Sequence, residues 1–231
     1  MKSLRVILTA IFLGWTCPVS ASPVGNPAKL SQDETRHFFT TGYEGSFVFD
    51  RDLDKNNAEV DELQDSYIRL SYVPDTHIME VYGLLGTMRF KYNQDNPTYD
   101  TDYGFAYGFG TRTQLWQNEN GTAVGLDAKY RRSKPDLDEP AVFTREEVKY
   151  QDWQVALGVS QKLKEHLTPY AGVRYNDVSI TDVPGIPDQN SDDVIGLFTG
   201  LDIEATDNLV FNLEGGFINE SAINGGVTWR F

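Results

Sequence analysis

Six acidic and six basic side chains fall on one face of a chain that alternates apolar and polar residues with period two. The acids are Glu44, Asp127, Asp152, Asp202, Glu204 and Glu214; the bases are Arg69, Arg89, Arg112, Lys129, Arg174 and Arg230. Gathered inside a closed sheet, such groups must pair, because an isolated buried charge is very costly. Two chemistries are then open to them. One is a structural filling of ion pairs and hydrogen bonds; the other is a narrow pathway for ions or small solutes between opposed charges. Facing positions across one hairpin can touch, so Arg112 is expected to reach Asp127. Arg230 and Glu44 are expected to meet where the sheet closes. Lys91 and Arg131 fall on the same face, nearer one rim.

Catalytic constellations are sparse. A general base is most often a histidine within hydrogen-bond reach of a nucleophile or carboxylate. The histidines are His37, His77 and His166; the first precedes the alternating segments and the others fall in tight turns, so all three read as surface residues. Cys17 is the one cysteine, which excludes disulfides and cysteine nucleophiles downstream of it. Gly108 and Gly110 do not open a nucleotide loop, because no helix follows. The reading is a non-enzyme without a cofactor. Its longer loops are acidic, with runs such as Asp50, Asp52, Asp54 and Glu59, and Asp188, Asp192 and Asp193. They could hold Ca²⁺ or Mg²⁺ through carboxylates, although no EF-hand spacing is present. A formal charge of −14 argues against nucleic acid as a partner.

The elements that must position these groups are strands. Ten segments alternate. The first, about Thr40–Asp52, sets Tyr43, Phe47 and Phe49 against Glu44, Ser46 and Val48. The second sets Ile68, Leu70 and Tyr72 against Tyr67, Arg69 and Ser71. The third, about Ile78–Tyr92, is read with Tyr82, Leu84, Met88 and Phe90 on the apolar face, opposite Arg89 and Lys91. The fourth is the most regular, with Tyr103, Phe105, Tyr107 and Phe109 opposite glycines. Six more run to the chain's last residue, Phe231. Several exceed ten residues, longer than the strands of an ordinary β-sandwich, and aromatics collect near both ends of the apolar face. Short connections (Pro74–His77, Asn118–Gly121, Lys164–His166, Thr206–Asn208) alternate with longer polar ones. Together these features predict an all-β, antiparallel, up-and-down transmembrane β-barrel of ten strands, with eight as the alternative count, whose apolar face meets lipid.

The N-terminus carries Lys2 and Arg5, then the short apolar run Val6–Trp15, then Val19-Ser20-Ala21. This reads as a cleaved export signal, too short to span a bilayer as a helix. A lipoprotein reading through Cys17 is disfavoured by the bulky Trp15 beside it. The expected organisation is residues 1–21 as signal, 22–38 as a short polar periplasmic lead-in, and 39–231 as the barrel. At the other end Val227, Trp229 and Phe231 share the apolar face. That ending resembles the terminal aromatic signal of outer-membrane proteins, which in that family is read by the barrel-assembly machinery.

On the signal, the ten alternating strands, the loop asymmetry and Phe231, the chain resembles small bacterial outer-membrane barrels of the OmpA-like or opacity-like class. The resemblance implies location in the outer membrane after Sec-type export, with cleavage near Ala21. It implies outer-membrane lipid and lipopolysaccharide as surroundings. It also implies a role in envelope structure or surface interaction, with a narrow channel as the alternative and an enzyme as a distant third.

Overall fold

The computed structural model describes residues 23–30 and 39–231, apart from 55–57, 75–77, 95–97, 139–146, 164–165 and 184–186. The export signal, Cys17, His37 and His77 lie outside the described residues. The strands are β1 (Phe39–Asp52), β2 (Ala58–Tyr72), β3 (Met79–Gln94), β4 (Thr98–Asp100), β5 (Gly104–Gln117) and β6 (Thr122–Lys134). They continue as β7 (Lys149–Gln161), β8 (Leu167–Thr181), β9 (Gln189–Asn190), β10 (Ile195–Thr206), β11 (Leu209–Phe217) and β12 (Ser221–Arg230). Short β4 and β9 extend two of the long loops, pairing with β3 and β8. The other ten form the wall. Each pairs antiparallel with its sequence neighbour, and β1 closes on β12 from Thr40 opposite Arg230 to Asp50 opposite Ser221. A closed sheet leaves no unpaired edge, which is what a strand structure needs inside lipid.

Alternation decides which residues face out. Phe39, Phe49, Ile68, Leu70, Phe105, Phe109, Leu126, Trp153, Val173, Leu213 and Trp229 are all exposed on the outer surface. A soluble protein rarely exposes so continuous an apolar band. Aromatic rings stack along it, with Phe109 5.5 Å from Tyr130 and Tyr130 4.6 Å from Trp153.

Nine of the ten wall strands show the expected faces, and β3 is reversed. Tyr82, Leu84, Met88 and Phe90 point inward and are buried, whereas Val81 and Leu85 are exposed outside. Both faces of β3 are apolar, so period two alone cannot orient it; its register against β2 does, with Arg69 opposite Leu84 and Tyr67 opposite Gly86. Arg89 therefore leaves the luminal set. It lies on the outer surface near the long-loop rim, 3.2 Å from Glu62 and with its guanidinium 5.2 Å from the Tyr103 ring centre. Tyr92, at the loop end of the same strand and in phase with Phe90, is likewise buried inside.

The reversal also reveals what fills the long-loop half of the lumen. Val48, Val60, Leu63, Met88, Phe90, Tyr92, Tyr150, Val178 and Ile180 form one buried cluster there. The inner face is polar toward the short-turn end and apolar toward the loops.

Candidate functional site

The stretch expected as a periplasmic lead-in begins instead inside the barrel. Pro23–Leu30 descends through the short-turn half of the lumen, with Val24, Asn26, Ala28 and Leu30 buried. Its polarity and two prolines read as a linker in sequence, because a chain that satisfies its hydrogen bonds on a surrounding wall needs no periodicity of its own. Gly25 adopts φ 67°, a conformation that favours glycine. Asn26 then shapes an Asx turn: its Oδ1 accepts from the Ala28 N–H at 3.1 Å. The wall is cut to receive the segment. A Cβ at Gly125 would stand 2.0 Å from the Pro27 carbonyl oxygen, and one at Gly158 would stand 2.5 Å from Pro27 Cγ. Two inward glycines on adjacent strands, β6 and β7, thus form a notch for Pro27.

The polar contacts follow in layers. At the short-turn mouth Glu204 pairs with Lys29 and lies 3.6 Å from Arg230. Next, Asp202 accepts from Asn26 Nδ2 at 2.9 Å and Asn212 Nδ2 at 2.8 Å. Glu214 then accepts from the N–H groups of Val24 and Gly25, both at 2.9 Å, from Tyr170 at 3.0 Å and from Asn224 at 2.9 Å. On the opposite wall Arg112 Nε is 3.1 Å from Asp127, while Arg112 Nη2 donates to the Val24 carbonyl at 2.8 Å. Lys129 donates to the Pro23 carbonyl. Arg69 is 2.7 Å from Glu80 and 3.7 Å from Glu44, with its guanidinium 3.7 Å above the Tyr82 ring.

Two further layers sit above the segment. Arg131 bridges Asp65 at 2.6 Å and Asp152, whose Oδ2 accepts from Arg131 Nε at 3.1 Å. Beyond it, Glu220 lies between Arg51 and Arg174, 2.6 Å from the latter. The apolar cluster packs around the Arg51 end of these layers, where Arg51 lies opposite Val60 and its Nη1 donates to the Tyr150 hydroxyl at 3.3 Å.

Of the twelve charges singled out in the sequence, eleven are luminal and Arg89 is not. Arg112 and Asp127 face each other. Arg230 and Glu44 do not pair; Arg230 is opposite Thr40, so it sits nearer the mouth than Glu44 and finds Glu204. Sequence reading passed over Asp65, Glu80, Arg51 and Glu220, and placed Arg131 only near a rim. Glu80 is in phase with Tyr82, so the correct faces of β3 reveal it; Asp65 is in phase with Arg69 on β2, whose faces the sequence reads correctly, but it reads there as part of the first acidic loop. Glu220 lies in the short β11–β12 turn, where no alternation points inward. His166 is exposed. Among the described residues, no group of three or more His, Cys, Asp or Glu side chains could hold a metal ion.

Comparison with known proteins adds fold more than detail. No family model matches the chain. Outer membrane protein B of Chlamydia pneumoniae is 24% identical over 90 residues, which is 34% of this chain and 26% of that protein. The chain thus matches only about a quarter of that relative's length. Among solved structures, the β domain of the Bordetella autotransporter BrkA superposes with a TM-score of 0.50 at 9% identity, covering 85% of this chain and 100% of that one. The translocator domain of the autotransporter NalP from Neisseria meningitidis gives 0.48 at 12% identity, covering 86% and 90%. The fold is that of bacterial outer-membrane barrels.

Proposed function

We propose that this chain is an integral outer-membrane barrel with a structural or surface-interaction role and a permanently closed lumen. One observation carries the reading: three unlike fillings succeed one another along the axis. Pro23–Leu30 occupies the short-turn half, the Arg131 layer crosses the middle, and the apolar cluster, with Arg51 and Glu220 set among it, fills the long-loop half. A conducting pathway needs a continuous polar bore, and Phe90, Tyr92 and Tyr150, each at most 2% exposed, supply none. The luminal charges are engaged mainly with one another and with Pro23–Leu30, which supports a non-catalytic role. The apolar outer band and the fold support location in the outer membrane, with the long acidic loops facing outward and the short turns facing the periplasm.

Purified protein in planar lipid bilayers is expected to show no steady conductance above the bare membrane. A stable, ion-selective current would reverse this reading in favour of a channel. The same preparations test the C-terminal strand. Trp229 and Phe231 are exposed on the outer face, and aromatic rings favour the membrane interface. Val227, Trp229 and Phe231 are proposed as the insertion signal. Deleting Phe231 should lower the outer-membrane yield by about tenfold (~1.4 kcal/mol in partitioning) and remove the heat-modifiable gel shift of the folded barrel. Equal yield with an unchanged shift would show that insertion does not depend on this residue.

A further inference from the structure

Among the described residues, the lysines and arginines that do not enter the lumen are Arg89, Lys91, Arg132, Lys134, Lys149 and Lys162. Lys162 lies at the short-turn end. The others share one place, the outer face of β3, β6 and β7 close to the long-loop rim. Alternation puts them there, because their chain neighbours Phe90, Tyr92, Arg131, Ser133 and Tyr150 point inward and are buried. From β8 round through β12 to β2, the same rim carries no cation on its outer face among the described residues. A chain of net charge −14 thus gathers its outward cations on one sector.

The sheet register sets their spacing. Lys134 faces Phe105 on β5, and Phe105 faces Thr87 on β3, two residues short of Arg89. The cations of β3 and β6 are therefore two strand spacings apart, roughly 10 Å across the sheet. Ser133 faces Tyr150, so Lys134 and Lys149 come side by side across β6 and β7, where like charges repel. Carboxylates meet most of this set. Glu62 lies 3.2 Å from Arg89 and 3.3 Å from Lys91, and Asp100 lies 3.9 Å from Lys91. Glu147 is 3.4 Å from Lys134, and Asp182 is 2.5 Å from Lys149. These carboxylates stand level with their partners or further toward the loops. Arg132 sits two residues nearer the short-turn end than Lys134. Among the described residues its side chain makes no ion pair or hydrogen bond, and its Nε is buried without a partner. Asp177 is lower still and two strands away. Arg132 lies opposite Tyr107 and Gln151, and Phe105, Tyr107 and Trp153 around it are exposed.

A guanidinium fork with nothing to bind, at the height where aromatic rings meet the headgroup layer, calls for an anion. Phosphate is the anion whose oxygens its planar donors fit in pairs. Cations on strands roughly 10 Å apart call for more than one phosphate on a single headgroup. We infer that this sector is a docking surface for a doubly phosphorylated glycolipid of the outer leaflet. Arg132, Lys134 and Lys149 hold one phosphate, Arg89 and Lys91 reach the other, and the acyl chains lie on Phe105, Tyr107 and Trp153. The inference rests on the outward orientation of the long loops proposed above.

Purified protein in detergent micelles is mixed with an acylated, bis-phosphorylated glucosamine disaccharide (lipid A), its dephosphorylated form, cardiolipin or inorganic phosphate. Bound molecules are counted by native mass spectrometry. Bis-phosphorylated lipid A should bind at least about tenfold more tightly than each of the others. Arg132→Gln combined with Lys134→Gln should weaken that binding at least about tenfold, the loss expected when two cations leave a phosphate surface. The variant should keep the heat-modifiable gel shift of the folded barrel. Lys162→Gln, at the far rim, should bind as the parent does. Equal binding of the dephosphorylated lipid would mean that acyl contact suffices, and equal binding of cardiolipin that any paired phosphates do. Either result overturns the glycolipid site, as does displacement by inorganic phosphate or a double variant that binds like the parent.

Whole cells carrying Asp138→Cys separate the two failures. Asp138 is exposed in a long loop, and a membrane-impermeant maleimide should label it in intact cells, with the parent chain as the blank. Labelling only after the cells are opened overturns the outward orientation and the glycolipid partner together. Labelled intact cells with binding that ignores the phosphates overturn the site alone.

Discussion

Replacing Arg131 with methionine should destabilise the barrel by about 3–5 kcal/mol, the usual cost of leaving a buried charge without its partner. Arg131 is 1% exposed and holds Asp65 and Asp152, which are 5% and 1% exposed. Methionine fills much of the volume but donates nothing, so two carboxylates would face each other across a dry layer. The Ser46 hydroxyl donates to Asp65 and would remain, but it carries no charge. Denaturant titration of the folded protein in micelles gives the loss directly. The triple change Arg131→Met, Asp65→Asn, Asp152→Asn should recover most of it, because removing all partners of a buried network costs far less than removing one. A loss below about 1 kcal/mol in Arg131→Met would mean that water reaches this layer and that the lumen is wetter than its burial implies.

Gly125→Leu should drive the Pro23–Leu30 segment out of the lumen. The added Cβ would stand 2.0 Å from the Pro27 carbonyl oxygen and 2.6 Å from Ala28 Cα, both backbone atoms that cannot rotate away. The segment cannot slide along the axis either, since Glu214, Arg112 and Lys129 hold its first three residues at fixed heights. Trypsin cutting after Lys29 reports the eviction. In the parent protein Lys29 pairs with Glu204 near the mouth and should be cut slowly. In Gly125→Leu the cut should accelerate by about a hundredfold, as expected when a protected segment becomes permanently open. The apolar cap does not depend on the segment, so bilayers containing this variant should still show no steady conductance. Rapid cutting of the parent chain at Lys29 would show that the segment leaves spontaneously, and a current from the variant would show that it is the true seal.

The amino-acid sequence by itself determined most of the wall. Alternation over seven or more residues in segments such as Tyr103–Leu115 and Trp153–Val159 leaves only one face for lipid, because a one-residue slip would turn every apolar side chain inward. The count of ten strands, their antiparallel order and closure through β1 and β12 follow from that pattern and from the turn lengths. Facing pairs one hairpin apart, such as Arg112 and Asp127, were legible for the same local reason.

Only the tertiary structure decided three things. It oriented β3, since Val81 and Leu85 on one face and Leu84 and Phe90 on the other are equally apolar until β2 sets the register. It placed Pro23–Leu30 inside, since that segment has no periodicity and makes its hydrogen bonds with residues as many as 190 positions away. And it brought Arg51, Arg174 and Glu220 together across the barrel, a meeting of three chain regions that share no hairpin. Alternation reports whether a side chain points in or out of its own strand. It says nothing about what arrives from the far side of the lumen, because that depends on closure of the whole sheet.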